Sequence, residues 1–194
     1  MLVKIEEHLL KGVKPNIDIK DPNIWIAGGA VRRWFSGEKQ DSDIDILSSK
    51  KEYLDKFVMD MQLGRPKFST KTADTYIVDK TAIQIIKLYS NSPEESLDGF
   101  DFKHCQFFYT TEGVYATHEA IICTLRKHLA VHRIRRGFEM DSLRRAFKYH
   151  SQGYNPCYGT LRDLAFAIMQ MDQSSMMQQI EISPSGGTRV VRFD

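Results

Sequence analysis

The chain has 194 residues, 42% of them apolar and 27% charged, with a formal net charge of +2. That length and apolar content suit a globular domain able to bury a sizeable core, and no apolar run approaches the roughly 18–20 residues of a membrane span. The near-neutral balance does not announce nucleic-acid binding. Cys105, Cys123 and Cys157 have neither metal-ligand nor disulfide spacing, which points to a reducing, cytoplasmic setting.

Along the chain, the first segment MLVKIEEHLLKG carries acids within its apolar stretch, so it does not read as a secretory signal. It predicts an amphipathic helix with Leu2, Ile5, Leu9 and Leu10 on one face. IWIAGG predicts a short buried strand ending in glycines, and AVRRWFSG a helix stopped by Gly37. Asp43–Leu47 alternates acid and apolar residues as a two-faced strand does. Lys50–Gln62 has helical spacing. Asp74–Asp79 and Thr81–Leu88 predict a hairpin turning at Asp79-Lys80, and Pro93–Leu97 a helical turn. His104–Thr110 and Val114–Thr117 predict a second hairpin, turning at Glu112-Gly113. From His118 the pattern becomes helical: Glu119–His128, Asp141–Gln152 and Thr160–Met171. The expected organisation is therefore an α/β (α+β) head over residues 1–117, a helical extension over 118–175, and a tail over 176–194. The tail has loop composition, and disorder and docking on a partner are both open for it.

Two features carry chemistry. The strand–Gly28-Gly29–helix passage sets helix N-terminal amides beside a tight turn. Glycine lets a phosphate approach the main chain, and the helix dipole favours negative charge there. Arg32 returns to the helix face of Gly29, within reach of a triphosphate oxygen. Asp43 and Asp45, two apart on a strand, project from one face while Ile44 and Ile46 face the core. Paired carboxylates repel unless cations neutralise them or water solvates them, and Mg²⁺ (or Mn²⁺) takes oxygen ligands of this kind together with substrate phosphates. Two metals held by Asp43 and Asp45 would activate an attacking hydroxyl and stabilise a pyrophosphate leaving group. A wet acidic edge strand is the simpler alternative for the pair taken alone.

The run Gly28-Gly29-Ala30-Val31-Arg32-Arg33, followed at the right interval by Asp43-Ile44-Asp45, resembles the polymerase-β-like nucleotidyltransferases. It is most similar to the head domain of bacterial-type CCA-adding enzymes and poly(A) polymerases. Arg33 stands where that family usually has Asp. Gly99-Phe100-Asp101-Phe102 keeps the Asp-Phe core of a second family element but lacks its paired arginines, so the resemblance implies a ribose contact for Asp101. Asp141-Ser142-Leu143-Arg144 keeps the Asp and Arg of a base-reading element. The register leaves Arg145 competing with Arg144, and an N-cap Asp paired to a first-turn Arg remains the alternative. Gln84 falls on the strand where many relatives carry a third acid. The resemblance implies a head with a mixed, mainly antiparallel sheet and a small C-terminal helical extension, a minimal standalone member of the kind found in phages and bacteria.

Arg133, Arg135 and Arg136 form a basic cluster, suited to acceptor phosphates or simply to solvent. The expected function is transfer of a nucleotide from an NTP to a hydroxyl acceptor, with an RNA 3′ end foremost, and release of pyrophosphate. No membrane partner is expected. A catalytically inactive nucleotide-binding or structural module, and a toxin-type transferase, are the alternatives.

Overall fold

A computed structural model describes residues 1–171 together with the backbone of 180–182 and 188–190. Strands β1 (Leu2–Ile5), β2 (Ile24–Ala27) and β3 (Ile44–Ser48) alternate with helix α1 (Gly29–Ser36), and α2 (Lys51–Asp60) follows. Then come β4 (Phe68–Ser69), β5 (Ala73–Val78), β6 (Thr81–Ile86) and the short helix α3 (Pro93–Ser96). β7 (Phe107–Thr110) and β8 (Gly113–Thr117) lead into α4 (His118–Leu125) and β9 (His128–Leu129). α5 (Glu139–Ser151), β10 (Asn155–Pro156) and α6 (Tyr158–Met169) complete the helical part. β11 (Ile180–Ile182) and β12 (Thr188–Val190) pair antiparallel, and the remainder of the expected 176–194 tail lies outside the described residues.

Eight strands form one sheet in the order β1-β8-β7-β2-β3-β6-β5-β4. Its pairings are antiparallel except β3–β6, which is parallel. The α+β class with a mixed, mainly antiparallel sheet is thus as expected. Alternation along each strand sorts the side chains by face. Ile24, Ile26, Ile44, Ile46, Ile83, Ile85 and Phe107 pack on one face with Val31 and Phe35 of α1, Leu54 and Phe57 of α2, and Ala120 of α4. Trp25, Ala27, Leu47 and Phe108 point to the other face, where they meet only Leu97 among fully buried apolar partners. That second face is left for a site. A third cluster, Phe102, Leu129, Ala146, Tyr154 and Leu164, holds α5 and α6 against the head.

The N-terminal helix is corrected: Leu2–Ile5 is a strand, followed by a single 3-10 turn at Glu7–Leu9. β1 pairs with β8 from Leu2↔Thr117 to Ile5↔Val114. A short helix is marginal on its own, so the ladder offered by the edge of β8 wins. The second hairpin turns one residue earlier than expected, since Thr110 faces Gly113 across the ladder. The first turns as predicted, with Asp79 and Lys80 both at positive φ (47° and 70°), the backbone that a tight hairpin turn demands. Gly37 ends α1 at φ 77°.

Candidate active site

β2 ends at Ala27, and Gly28 turns the chain into α1 with φ 80° and ψ −138°, a conformation that strains any residue bearing a Cβ. Such a Cβ would lie 2.9 Å from Phe100 Cε1 and 3.5 Å from Asp45 Oδ2. The glycine turn and the second acid are therefore packed against each other. The N-cap residue Gly28 has no side chain with which to cap α1, and first-turn amides of this kind suit an anion's oxygens. Gly29 contacts Arg33 Nη1 and Ser42 Oγ, where a Cβ would come within 3.0 and 3.4 Å. Arg33 is buried and pairs with Asp41 Oδ1 at 3.1 Å, so its departure from the family pattern is matched by an acid nearby in the chain.

Asp43 stands just ahead of β3 and is exposed, whereas Asp45 is half-buried within it. Asp45 faces Ala27 on one side and Gln84 of β6 on the other. Gln84 donates from Nε2 to Asp43 Oδ2 at 3.1 Å, which ties both acids to one edge of the site. No group of three or more His, Cys, Asp or Glu suited to a metal occurs among the described residues. The oxygen donors present are two carboxylates and the Gln84 amide. That set fits a hard divalent cation only if substrate phosphates complete its shell, as Mg²⁺ commonly allows.

Asp45, Gly29 and Gln84 line a cavity of about 590 Å³ on the open face of the sheet. Its other walls include Leu47, Ser96, Phe100, Asp101, Phe102, Cys105, Arg135, Phe138, Arg145 and Tyr149. This is the size range of small-molecule sites, apolar with a few convergent polar groups. Asp101 is buried, and its Oδ2 accepts from Arg145 Nε at 2.6 Å and from Ser142 Oγ at 2.9 Å, while Arg145 Nη2 closes the ion pair. Ser142 escaped the sequence reading because a helix-interior serine carries no signal by itself.

Five of the expected site residues are not on the cavity wall: Gly28 and Asp43 sit beside it, against Asp45 and Gln84, and Arg32, Asp141 and Arg144 lie elsewhere. Arg32 is fully buried, pairs with Glu38 Oε2 at 3.2 Å and lies over Tyr154, 4.9 Å from the ring centroid. It braces α1 against the helical part and does not line the cavity, so the expected triphosphate contact is corrected. Burial opposes charge on Arg32, but Cys105, Tyr154 and Glu38 outweigh it and leave the pKa above its ordinary value. Burial likewise opposes the Glu38 carboxylate, yet Arg32 and Lys127 hold its pKa below the usual range. Asp141 and Arg144 pair with each other at 3.7 Å and do not line the cavity. One residue along a helix turns a side chain by about 100°, so α5 presents Arg145 to the site and sends Arg144 outward.

Beneath the cavity floor, His104 is fully buried between Tyr149 and Tyr154, both centroids 4.3 Å away, and neither ring nitrogen has a hydrogen-bond partner. Burial, then the cations Arg32, Lys127 and Arg33, push its pKa well below the ordinary histidine value. Cys105 donates to the Tyr149 hydroxyl at 3.2 Å, and burial raises the pKa of both groups.

Comparison with solved structures places this architecture among nucleotidyltransferase folds. The Thermotoga maritima CCA-adding enzyme complexed with tRNA aligns over 76% of this chain and 38% of its own, with 18% identity and a TM-score of 0.57. The Bacillus stearothermophilus CCA-adding enzyme in complex with CTP aligns over 82% of this chain and 41% of its own, with 20% identity and a TM-score of 0.54. A tRNA nucleotidyltransferase solved with a primer tRNA and an incoming ATP analog aligns over 80% of this chain and 51% of its own, with 14% identity and a TM-score of 0.55. At these identities the likeness is one of fold, and the chain spans about half or less of each neighbour's length. A search of curated proteins finds no match. The model described as Gad2, Gabija anti-defense 2 family protein, matches residues 3–127, and the chain belongs to that family. No helix among the described residues is long and apolar enough to cross a membrane.

Proposed function

We propose that the chain is a metal-dependent nucleotidyltransferase, moving a nucleotide from an NTP to a hydroxyl acceptor with release of pyrophosphate. The observation that carries this reading is the closeness of Gly28 to Asp45, which together with Gly29 lines one nucleotide-sized cavity. It joins a phosphate turn to an acid pair that the sequence separates by 15 to 17 residues. The first-turn amides of α1 would hold phosphate oxygens, and Asp43 and Asp45 would hold Mg²⁺ or Mn²⁺ with the NTP completing the shell. Bound there, the cation would neutralise charge gathering on the phosphates. The acceptor oxygen attacks the α-phosphorus as the α–β bridging bond breaks, pyrophosphate leaves with the bond's electrons, and the hydroxyl proton passes to water. Asp101, fixed by Arg145 and Ser142, faces the same cavity and is the expected ribose contact. On this reading residues 1–117 are the catalytic head, 118–175 a neck-like extension, and an RNA 3′ end the acceptor. The setting is the cytoplasm of a bacterium, where a phage protein would act. The family description adds a purpose: the transfer would counter the Gabija defence.

The test is incubation with labelled NTPs, Mg²⁺ and total RNA, followed by mass spectrometry of the labelled product. Label transfer that vanishes in Asp43→Ala and Asp45→Ala supports the enzyme. A second reading, a binding module without catalysis, is favoured by Gln84 standing as an amide beside Asp43. It prevails if no fraction takes label and both variants still protect phage in Gabija-bearing cells.

A further inference from the structure

The cavity holds cations whose accounts differ. Arg145 is spent on Asp101. Arg32 and Arg33, the arginines nearest the glycine turn in sequence, are buried on Glu38 and Asp41 and line no part of it. Arg32 Nε, Nη1 and Nη2 lack hydrogen-bond partners, but Arg32 is fully buried away from the cavity; Arg135 is set apart by its place on the cavity wall. It lines the cavity, its guanidinium lies 4.9 Å from the centroid of Phe138, and its Nε is buried with no hydrogen-bond partner. No ion pair involves it among the described residues. Its neighbours Arg133 and Arg136 are exposed, so the basic cluster read from the sequence is split: one arginine turns inward and two face solvent.

A guanidinium packed against an aromatic ring can still offer N–H groups, and those groups match phosphate oxygens two at a time. No carboxylate pairs with this guanidinium among the described residues, so its charge on the cavity wall is open to a ligand anion. Among the described residues that line the cavity, Arg145 and Arg135 are the cations, and Arg145 is held by Asp101. We propose that Arg135 is the residue that binds the polyphosphate of the incoming nucleotide, with the ring of Phe138 packed against it. The inference rests on the nucleotidyltransferase reading for the identity of the ligand, but the anion site itself is independent of catalysis.

Isothermal titration of the full chain with inorganic tripolyphosphate, ATP and adenosine tests it, in wild type, Arg135→Gln and Arg135→Lys. Arg135→Gln is expected to weaken tripolyphosphate and ATP at least tenfold and leave adenosine unchanged. Arg135→Lys, which keeps the charge without the planar fork, should fall between. Equal tripolyphosphate affinity in wild type and Arg135→Gln overturns the proposal, as does a loss for adenosine equal to that for ATP, which would make Arg135 a base platform. No tripolyphosphate binding by wild type also overturns it. Arg135-dependent tripolyphosphate binding without ATP binding or label transfer would uphold the anion site and sink the transferase reading.

Discussion

Replacing Glu38 by glutamine takes the carboxylate away from a guanidinium that is fully buried. Removing one partner of a buried pair typically costs about 3–5 kcal/mol, because the other charge stays in a medium that cannot solvate it. Glu38 is 21% exposed and Arg32 keeps the Tyr154 ring beneath it, so part of the field is already screened. The loss expected for Glu38→Gln is therefore about 2–3 kcal/mol, below the full buried-pair cost. Arg32→Met keeps most of the apolar stem and removes the charge, so it should cost less, about 1–2 kcal/mol. The double variant should be more stable than Glu38→Gln alone, since the buried guanidinium is gone and Lys127, the other partner of Glu38, is 40% exposed and reached by water. Urea unfolding followed by tryptophan fluorescence reads all three, with Trp25 buried in the sheet as the reporter. ATP titration of folded Arg32→Met completes the test, and affinity should match wild type. The reasoning fails if Glu38→Gln unfolds within about 0.5 kcal/mol of wild type, the usual effect of a surface change. It also fails if Arg32→Met folds normally but loses ATP, which would return Arg32 to the triphosphate.

Gly28→Ala forces a Cβ into a backbone with φ 80° and ψ −138° and against Phe100. Strain of this kind costs about 1–3 kcal/mol, and the midpoint of thermal unfolding should fall by roughly 2–4 °C for each kcal/mol. Label transfer should fall further than stability, because Asp45 is the next contact; an unchanged midpoint would sink the argument. His104 is held neutral in the folded chain, whereas the unfolded chain binds its proton near pH 6.5. The unfolded state thus takes up more protons below that pH, and stability drops as pH falls from about 6.5 towards the lower folded value, by at most about 1.4 kcal/mol per unit. Urea unfolding between pH 7.5 and 5 should show the slope, and His104→Leu should remove one proton's worth of it. An unaltered slope in that variant would mean that other groups carry the acid sensitivity.

Much of this protein is local and so was legible in sequence. Period-two alternation and turn residues mark β2, β3, β5 and β6. Gly37 ends α1, and the Asp79-Lys80 turn joins its hairpin because the backbone there needs what those residues tolerate. The nearness of the glycine turn to Asp45 was legible for the same reason, since a strand and a helix start fix where each points. Tertiary structure decided what depends on partners far away in the chain. Leu2–Ile5 is a strand because the edge of β8 is there to pair with it, although its own apolar spacing favours a helix. Arg32 turns away from the cavity because Glu38 and Tyr154 offer a buried charge and ring that no spacing rule reveals. A rotation of one residue on α5 chose Arg145 over Arg144, and the loop before it turned Arg135 inward and its two neighbours out. Spacing says which residues share a face; only packing says what that face meets.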